Sequence, residues 1–416
     1  MIKRPLSPRS LGLAALWIVG INAFPTGAFA SETLIIGGLL SLTGSWSSLG
    51  KSSKIIMELA RDDINTYLKH HRSNKRVRLM IEDTQLQPEI AKEKYQQLVA
   101  RKAVAVVGPQ SSSEIATLTG IVGKKRVPLV SQGSTASSLA EPDDAIYRMV
   151  PNDTHEAEAV QALLSRRGIQ TLIPLWRDDV GNNGLHQSLQ SRFEAVGGKV
   201  YPGVQYTPDQ QDFSSVAATA AAQLAQALAE VGGDTARVAI YTASFDEIVP
   251  LMKAAAAFPT LKTVKWFGSD GVVQSTALSQ DPVASRFAID TGYPSPNFGL
   301  SAAAQRNAQS VSERYAAITG QLPDAFTLAA YDATWVAALG SSYQSSVMAR
   351  SRQDVLGETA KLHFGATGWA ELDLNGDRTR GDYDFWALRP DVSGTAVWTI
   401  VCHYDSETGK TTDPCE

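Results

Sequence analysis

The chain has 416 residues, 44% of them hydrophobic and 19% charged, with a formal net charge of −4. That balance lacks the basic excess by which nucleic acid or an anionic membrane surface is held. The length exceeds the roughly 250 to 300 residues at which one core stops growing, so two domains are expected.

The first thirty residues read as an export signal. Lys3, Arg4 and Arg9 form a positive start, Leu11 to Ile21 a short apolar core, and Ala28-Phe29-Ala30 a small-x-small cleavage site. The apolar run is shorter than the roughly 18 to 20 residues that span a bilayer. Cleavage after Ala30 removes three basic and no acidic residues, leaving 35 Lys+Arg against 42 Asp+Glu, a formal charge of −7. The expected location is the periplasm. No cysteine near the cleavage site offers a lipid anchor; the two in the chain, Cys402 and Cys415, both lie near the C-terminus. In an oxidising compartment such a pair reads as a disulfide pinning the tail, the alternative being two free thiols.

From Thr33 onward, short β-rich runs alternate with helical stretches. The runs are Thr33 to Leu40, Val77 to Ile81, Ala103 to Val107, Val127 to Ser131, Thr171 to Trp176, Lys199 to Val204, Arg237 to Tyr241 and Thr263 to Phe267. Most are continuously apolar, which suits strands buried on both faces of a parallel sheet. Between the first two, Ile56, Ala60, Ile64 and Tyr67 fall at helical spacing, with Arg61, Asp62 and Asp63 on the opposite face. The Ala-rich stretch 217–229 favours a helix that Gly232 and Gly233 stop. After Ala330 the chain changes character, and Gly365 to Trp369 and Leu372 to Arg389 read as loops and antiparallel strands. The series predicts a doubly wound α/β protein.

Ligands of open α/β sheets bind beyond the carboxyl ends of the strands, so the loops there carry the functional argument. Three are rich in small hydroxyl residues: Leu42 to Trp46, Gly108 to Ser113, and Ser131 to Thr135. Each is expected to lead into a helix, whose free N–H groups attract an anion. Taken singly, such hydroxyls read as N-caps. Three in one half of the chain point to a carboxylate-binding wall.

The order of elements resembles the leucine/isoleucine/valine-binding protein family, the type I periplasmic receptors of ABC importers. The resemblance is carried by Ile36 to Gly44, Glu58-Leu59-Ala60 with Ile64-Asn65, Val106 to Pro109 with Ser111-Ser112, and Val127 to Ser131 with Ser134-Thr135. Trp266 to Gly271 and Ala330 to Ala333 continue it. It implies two Rossmann-like lobes joined by three crossings, 31–152 plus 291–362 and 153–290 plus 363–402, with 403–416 as a tail. It also implies that Ser112, Gly133, Ser134 and Thr135 hold a ligand carboxylate while Asp270 meets an ammonium; the alternative for Asp270 is a surface turn. Where family members often carry aromatic residues, this chain has Val180 and Ser244. Trp46, Trp176 and Phe245 are candidates to supply aromatic surface instead, and branched-chain specificity does not follow.

Asp373-Leu374-Asn375-Gly376-Asp377 has the alternating oxygens of a calcium loop but misplaces the glycine and has Asp384 at the twelfth place, so it reads as a solvated turn. No histidine has zinc-type spacing, the adjacent His70 and His71 included, and no nucleophile–base or phosphate-loop motif occurs. The expectation is a monomeric solute-binding protein without cofactor, metal or catalysis, capturing an amino acid for the permease of an ABC importer. The alternative is a sensor of the same fold that binds an amide, urea or small carboxylate and signals to a separate partner.

Overall fold

A computed structural model describes residues 32–125, 127–343 and 352–412. The signal segment ending at Ala30, and Cys415, lie outside these residues. Three larger sheets and one two-stranded hairpin organise the described residues. The first is six-stranded and parallel, ordered Asp377–Arg378, Ile146–Pro151, Leu129–Ser131, Ala105–Val107, Glu32–Leu40 and Lys75–Asp83. The second, also parallel, runs Lys265–Phe267, Val238–Ala243, Thr171–Arg177 and Lys199–Val200, with Val204–Tyr206 also paired to Thr171–Arg177. The third is antiparallel: Ser295–Gly299, Asp382–Pro390, Ala396–Asp405 and Lys410–Thr411.

Each predicted run contains a strand. The run at 199–204 is split into two, with Gly203 at a positive φ of 65° between them. Continuous apolar sequence becomes continuous burial: Ala105–Val107, Leu129–Ser131 and Val238–Ala243 are buried at every position. The strand Ile146–Pro151 was not anticipated. It carries Arg148, which is 2% exposed and paired with Asp377 of the adjoining strand, so a central charge disguises a buried strand.

Helices cover both parallel sheets. Ser47–His70 buries Ile56, Met57, Ala60 and Ile64 against Ala325–Tyr343, whose Ala329, Ala330, Ala333 and Ala337 allow close approach. Asp63, expected to face solvent, instead accepts hydrogen bonds from Arg314 and Tyr331. Ser214–Glu230 encloses the Ala-rich stretch and ends before Gly232 and Gly233, both at positive φ.

The third sheet ties the parts together. Ser295–Gly299 pairs along Asp382–Pro390, whose Tyr383 and Phe385 share a core with Leu163, Leu172 and Tyr241 near the second sheet. Segment 363–402, expected in the second lobe, divides: Asp377–Arg378 joins the first sheet, and Phe364–Gly365 with Gly368–Trp369 packs on Ala302–Thr319. Asp377 is also no solvated turn residue, being 3% exposed in its pair with Arg148.

One close approach fixes the entrance to the first helix. A Cβ at Gly50 would stand 1.9 Å from the Ser41 carbonyl oxygen, well inside contact distance. Gly50→Ala must push the helix off the strand end, and an overpacked core loses about 1–3 kcal/mol. A lower denaturant midpoint at unchanged slope is the expected result.

Candidate functional site

Six loops meet at the carboxyl ends of the two parallel sheets. From the first come 41–46, 108–111 and 132–135; from the second come 178–181, 244–247 and 268–270. They enclose a cleft lined by Trp46, Ser111, Ser112, Gly133, Thr135, Asp179, Gly181, Asn182, Leu185, Phe245 and Asp270. Larger hollows exist, such as a groove of about 720 Å³ beside Leu322 and Trp386, but it is open surface away from these loops.

The cleft is closed by contacts between its two walls. Trp46 stacks on Phe245 with centroids 4.6 Å apart and planes at 23°. The Asp246 amide donates to the Ser45 carbonyl at 2.7 Å, the Val180 amide to the Ser113 hydroxyl at 3.3 Å, and the Thr276 amide to the Ser48 hydroxyl at 3.1 Å. Gln110 braces the first wall by accepting from the Ser41 amide and donating to the Trp46 carbonyl. Arg177 braces the second, lying 5.3 Å from the Phe245 ring while pairing with Asp179 and Glu247. A free volume of about 20 Å³ remains between the lining side chains, room for about one water molecule. Any larger solute therefore requires the walls to part.

Of the residues singled out from sequence, Trp46, Ser112, Gly133, Thr135, Phe245 and Asp270 line this cleft together. Ser134 lies one layer back, fully buried, its hydroxyl 3.1 Å from that of Ser112. Val180 sits at the rim, where its backbone rather than its side chain makes the contact. Trp176 is elsewhere, stacked on His186. Sequence reasoning missed Asp179, which reads as an ordinary N-cap and does accept from the Asn182 amide of the helix Val180–Ala195.

The hydroxyl loops behave differently from expectation. Ser111 and Glu114 form a reciprocal cap at the start of Ser112–Lys125, so the Ser111 hydroxyl is spent on the helix. Ser131–Thr135 leads only into the three-residue 3-10 turn Ser137–Leu139, which provides no helix dipole. The Ser131 hydroxyl accepts from the amides of both Gly133 and Ser134, and the Ser112 hydroxyl from the Ala136 amide. Donors expected for an anion are largely engaged within the protein.

The opposite holds for acceptors. Asp270 is 5% exposed, and its amide donates to the carboxylate of fully buried Glu156 at 3.2 Å. Asp153, one turn before Glu156 on the helix Asp153–Arg166, is also fully buried, and neither of its carboxylate oxygens is hydrogen-bonded. Burial, and then repulsion from Asp153, holds the Asp270 carboxyl well above the usual range. Burial chiefly pushes Asp153 up to about 7.

The receptor family ligand binding region model matches residues 54–391. The chain belongs to that family. It is 26% identical over 394 residues to an uncharacterized protein of Methanocaldococcus jannaschii, covering 90% of each chain. Among solved structures, the branched-chain amino acid transporter substrate-binding protein LivJ of Streptococcus pneumoniae, in complex with isoleucine, superposes with a TM-score of 0.68 at 18% identity, over 89% of this chain and 99% of that one. A solute-binding protein of an ABC transporter from Rhodopseudomonas palustris, in complex with 3,4-dihydroxybenzoic acid, gives 0.67 at 17% identity, over 88% and 96%. These neighbours are solute-binding proteins rather than enzymes, and the fold is that of type I periplasmic binding proteins. Among the described residues no helix is long and apolar enough to cross a membrane, and no group of three or more His, Cys, Asp or Glu is placed to hold a metal ion.

The raised Asp153 carboxyl makes a signed prediction. Its folded value stands above the ordinary carboxylate value of about 4. Between those pH values the folded chain holds a proton that the unfolded chain has released, so this group's contribution to stability falls as pH rises through the window. Asp153→Asn is expected to raise the melting temperature at pH 8 by roughly 2 °C or more and to change it much less at pH 5. Differential scanning calorimetry at both pH values decides; an equal shift at both would mean Asp153 is not protonated in the fold.

Proposed function

We propose that this chain is an exported receptor that closes two lobes around a small amine-bearing solute, an amino acid in the first instance, and hands it to the permease of an ABC importer. The observation that carries the reading is the meeting of Trp46, Ser112 and Thr135 from the loops of one sheet with Phe245 and Asp270 from the loops of the other. A solute touching both walls stabilises the closed form alone, and that differential contact drives closure. The first lobe is built on the first parallel sheet and the second lobe on the second, with the strands Ser295–Gly299 and Asp382–Pro390 in the connection. The protein works as a monomer in the periplasm after cleavage behind Ala30.

In this reading the solute's carboxylate faces the hydroxyls of Ser112 and Thr135, and its ammonium faces Asp270. Asp270→Asn keeps the shape and removes the charge. It is expected to weaken binding of the best amino acid found in a thermal-shift screen by about 1.5–3 kcal/mol, the range for hydrogen bonds to charged groups. Ser134→Ala, one layer behind the cleft, is expected to cost less. Isothermal titration of both variants is the measurement. Equal affinity in wild type and Asp270→Asn would remove the ammonium from this position.

The same export carries an expectation for the tail. Cys402 is 5% exposed on the strand Ala396–Asp405, and bonding it to Cys415 would contribute on the order of 3 kcal/mol by closing a short loop. Titration of the unfolded, unreduced protein is expected to find no free thiol; two reactive thiols would refute the pairing.

A further inference from the structure

The cleft is unevenly provisioned for charge. On the first wall the Gly133 and Ser134 amides are taken by Ser131, the Ala136 amide by Ser112, and the Ser112 and Ser134 hydroxyls by each other. On the opposite wall Asp270, and behind it Asp153 and Glu156, are each 5% exposed or less; the Arg148 charge acts on Asp153 from a distance, but no ion pair to any of the three occurs among the described residues. The two nearby buried guanidiniums are committed. Arg148 binds both carboxylate oxygens of Asp377 and the Ala136 carbonyl. Arg177 pairs with Asp179 and Glu247.

Asp153 is packed beside the cleft, between a residue of each wall. Its amide donates to the carbonyl of the cleft residue Thr135 at 2.9 Å, and a Cβ on Gly184 of the helix Val180–Ala195 would stand 2.6 Å from its Oδ2. The Thr135 hydroxyl and the Ser137 amide approach this carboxyl without reaching hydrogen-bond geometry. Tyr241 and Tyr383 lie within electrostatic reach of the same three acids and bring no positive charge. A carboxyl that is fully buried and unpartnered costs free energy unless a proton or a cation neutralises it.

We propose that the solute carries a net positive charge, as a basic amino acid or a diamine does, and that Asp153 and Glu156 form with Asp270 the subsite for its cationic groups. The inference rests on the solute-binding reading above. A neutral zwitterion brings as much negative as positive charge and leaves the acids uncompensated. A solute with an additional ammonium supplies the missing charge, and the protons held by the cluster in its closed, unliganded form leave to bulk water as it binds. The raised carboxyl of Asp153 agrees with that exchange.

The test is isothermal titration of the mature chain at pH 6, below the raised Asp153 value, with L-lysine, putrescine and L-leucine, each in two buffers of different ionisation enthalpy. L-lysine or putrescine is expected to bind at least about tenfold more tightly than L-leucine, with proton release that tracks the buffer. Preference for lysine means that the carboxylate is also held, and preference for putrescine that it is not. Asp153→Asn and Glu156→Gln are each expected to reduce both the lysine-to-leucine ratio and the proton release, whereas a merely structural role would move neither. The wild-type comparison stands even where a variant fails to fold. Leucine binding as tightly as both cations would overturn the charge inference and leave the solute-binding reading intact; no binding by any of the three, nor by any amino acid in the screen, would overturn that reading itself.

Discussion

The contact between Trp46 and Phe245 is the constraint around which the cleft is arranged. Each ring comes from a loop that ends a parallel strand, and the two stack only when the walls are together. The backbone next to each ring reinforces the approach through the hydrogen bond from the Asp246 amide to the Ser45 carbonyl. Such an aromatic pair contributes about 0.5–1.5 kcal/mol beyond its area. That is enough to bias a hinge and too little to lock it. A solute that replaces the stack with its own contacts on both sides therefore competes on even terms, and a modest difference in affinity between open and closed forms moves the population far.

The supports behind the rings make them precise. Gln110 holds the Trp46 backbone from beneath, and Arg177 presents its guanidinium to the Phe245 face while two carboxylates keep it from turning into the cleft. A bare Arg177 would attract anionic solutes; as paired, it positions a ring and adds little positive potential. The charge character of the cleft is thus left to the carboxyls.

Much of the scaffold was legible because buried parallel strands write themselves as continuous apolar runs. Val106, Val130 and Ile240 needed no tertiary information to be placed inside. Legibility failed where a charge was cancelled by a distant residue. Arg148 hides a central strand, and its partner Asp377 lies 229 residues away. The acid cluster failed for a different reason. Asn152 caps its helix and Asp153 and Glu156 occupy the first turn, the ordinary place for acids beside a helix dipole, so nothing local marks them as packing behind a cleft residue. The hydroxyl loops erred the other way. Their composition promised free donors, but whether a serine serves a solute or its own backbone is decided by turn geometry, and Ser131 turned inward.

The two surprises share one energetic consequence. Protein stability is a margin of roughly 5–15 kcal/mol, and three carboxyls within one desolvated cluster oppose it whenever they are ionised. Dipole placement at the start of Asp153–Arg166 offsets only about 0.3–1 kcal/mol of that. The cluster must therefore be neutralised by protons, by solvent entering as the walls part, or by a cation arriving from outside. Closure over an ionised, uncompensated cluster is the one combination the physics disfavours. Selectivity then follows from the fold itself: the walls close most readily on whatever cancels the charge they bury, while giving up the aromatic stack costs nearly the same amount for every solute that enters.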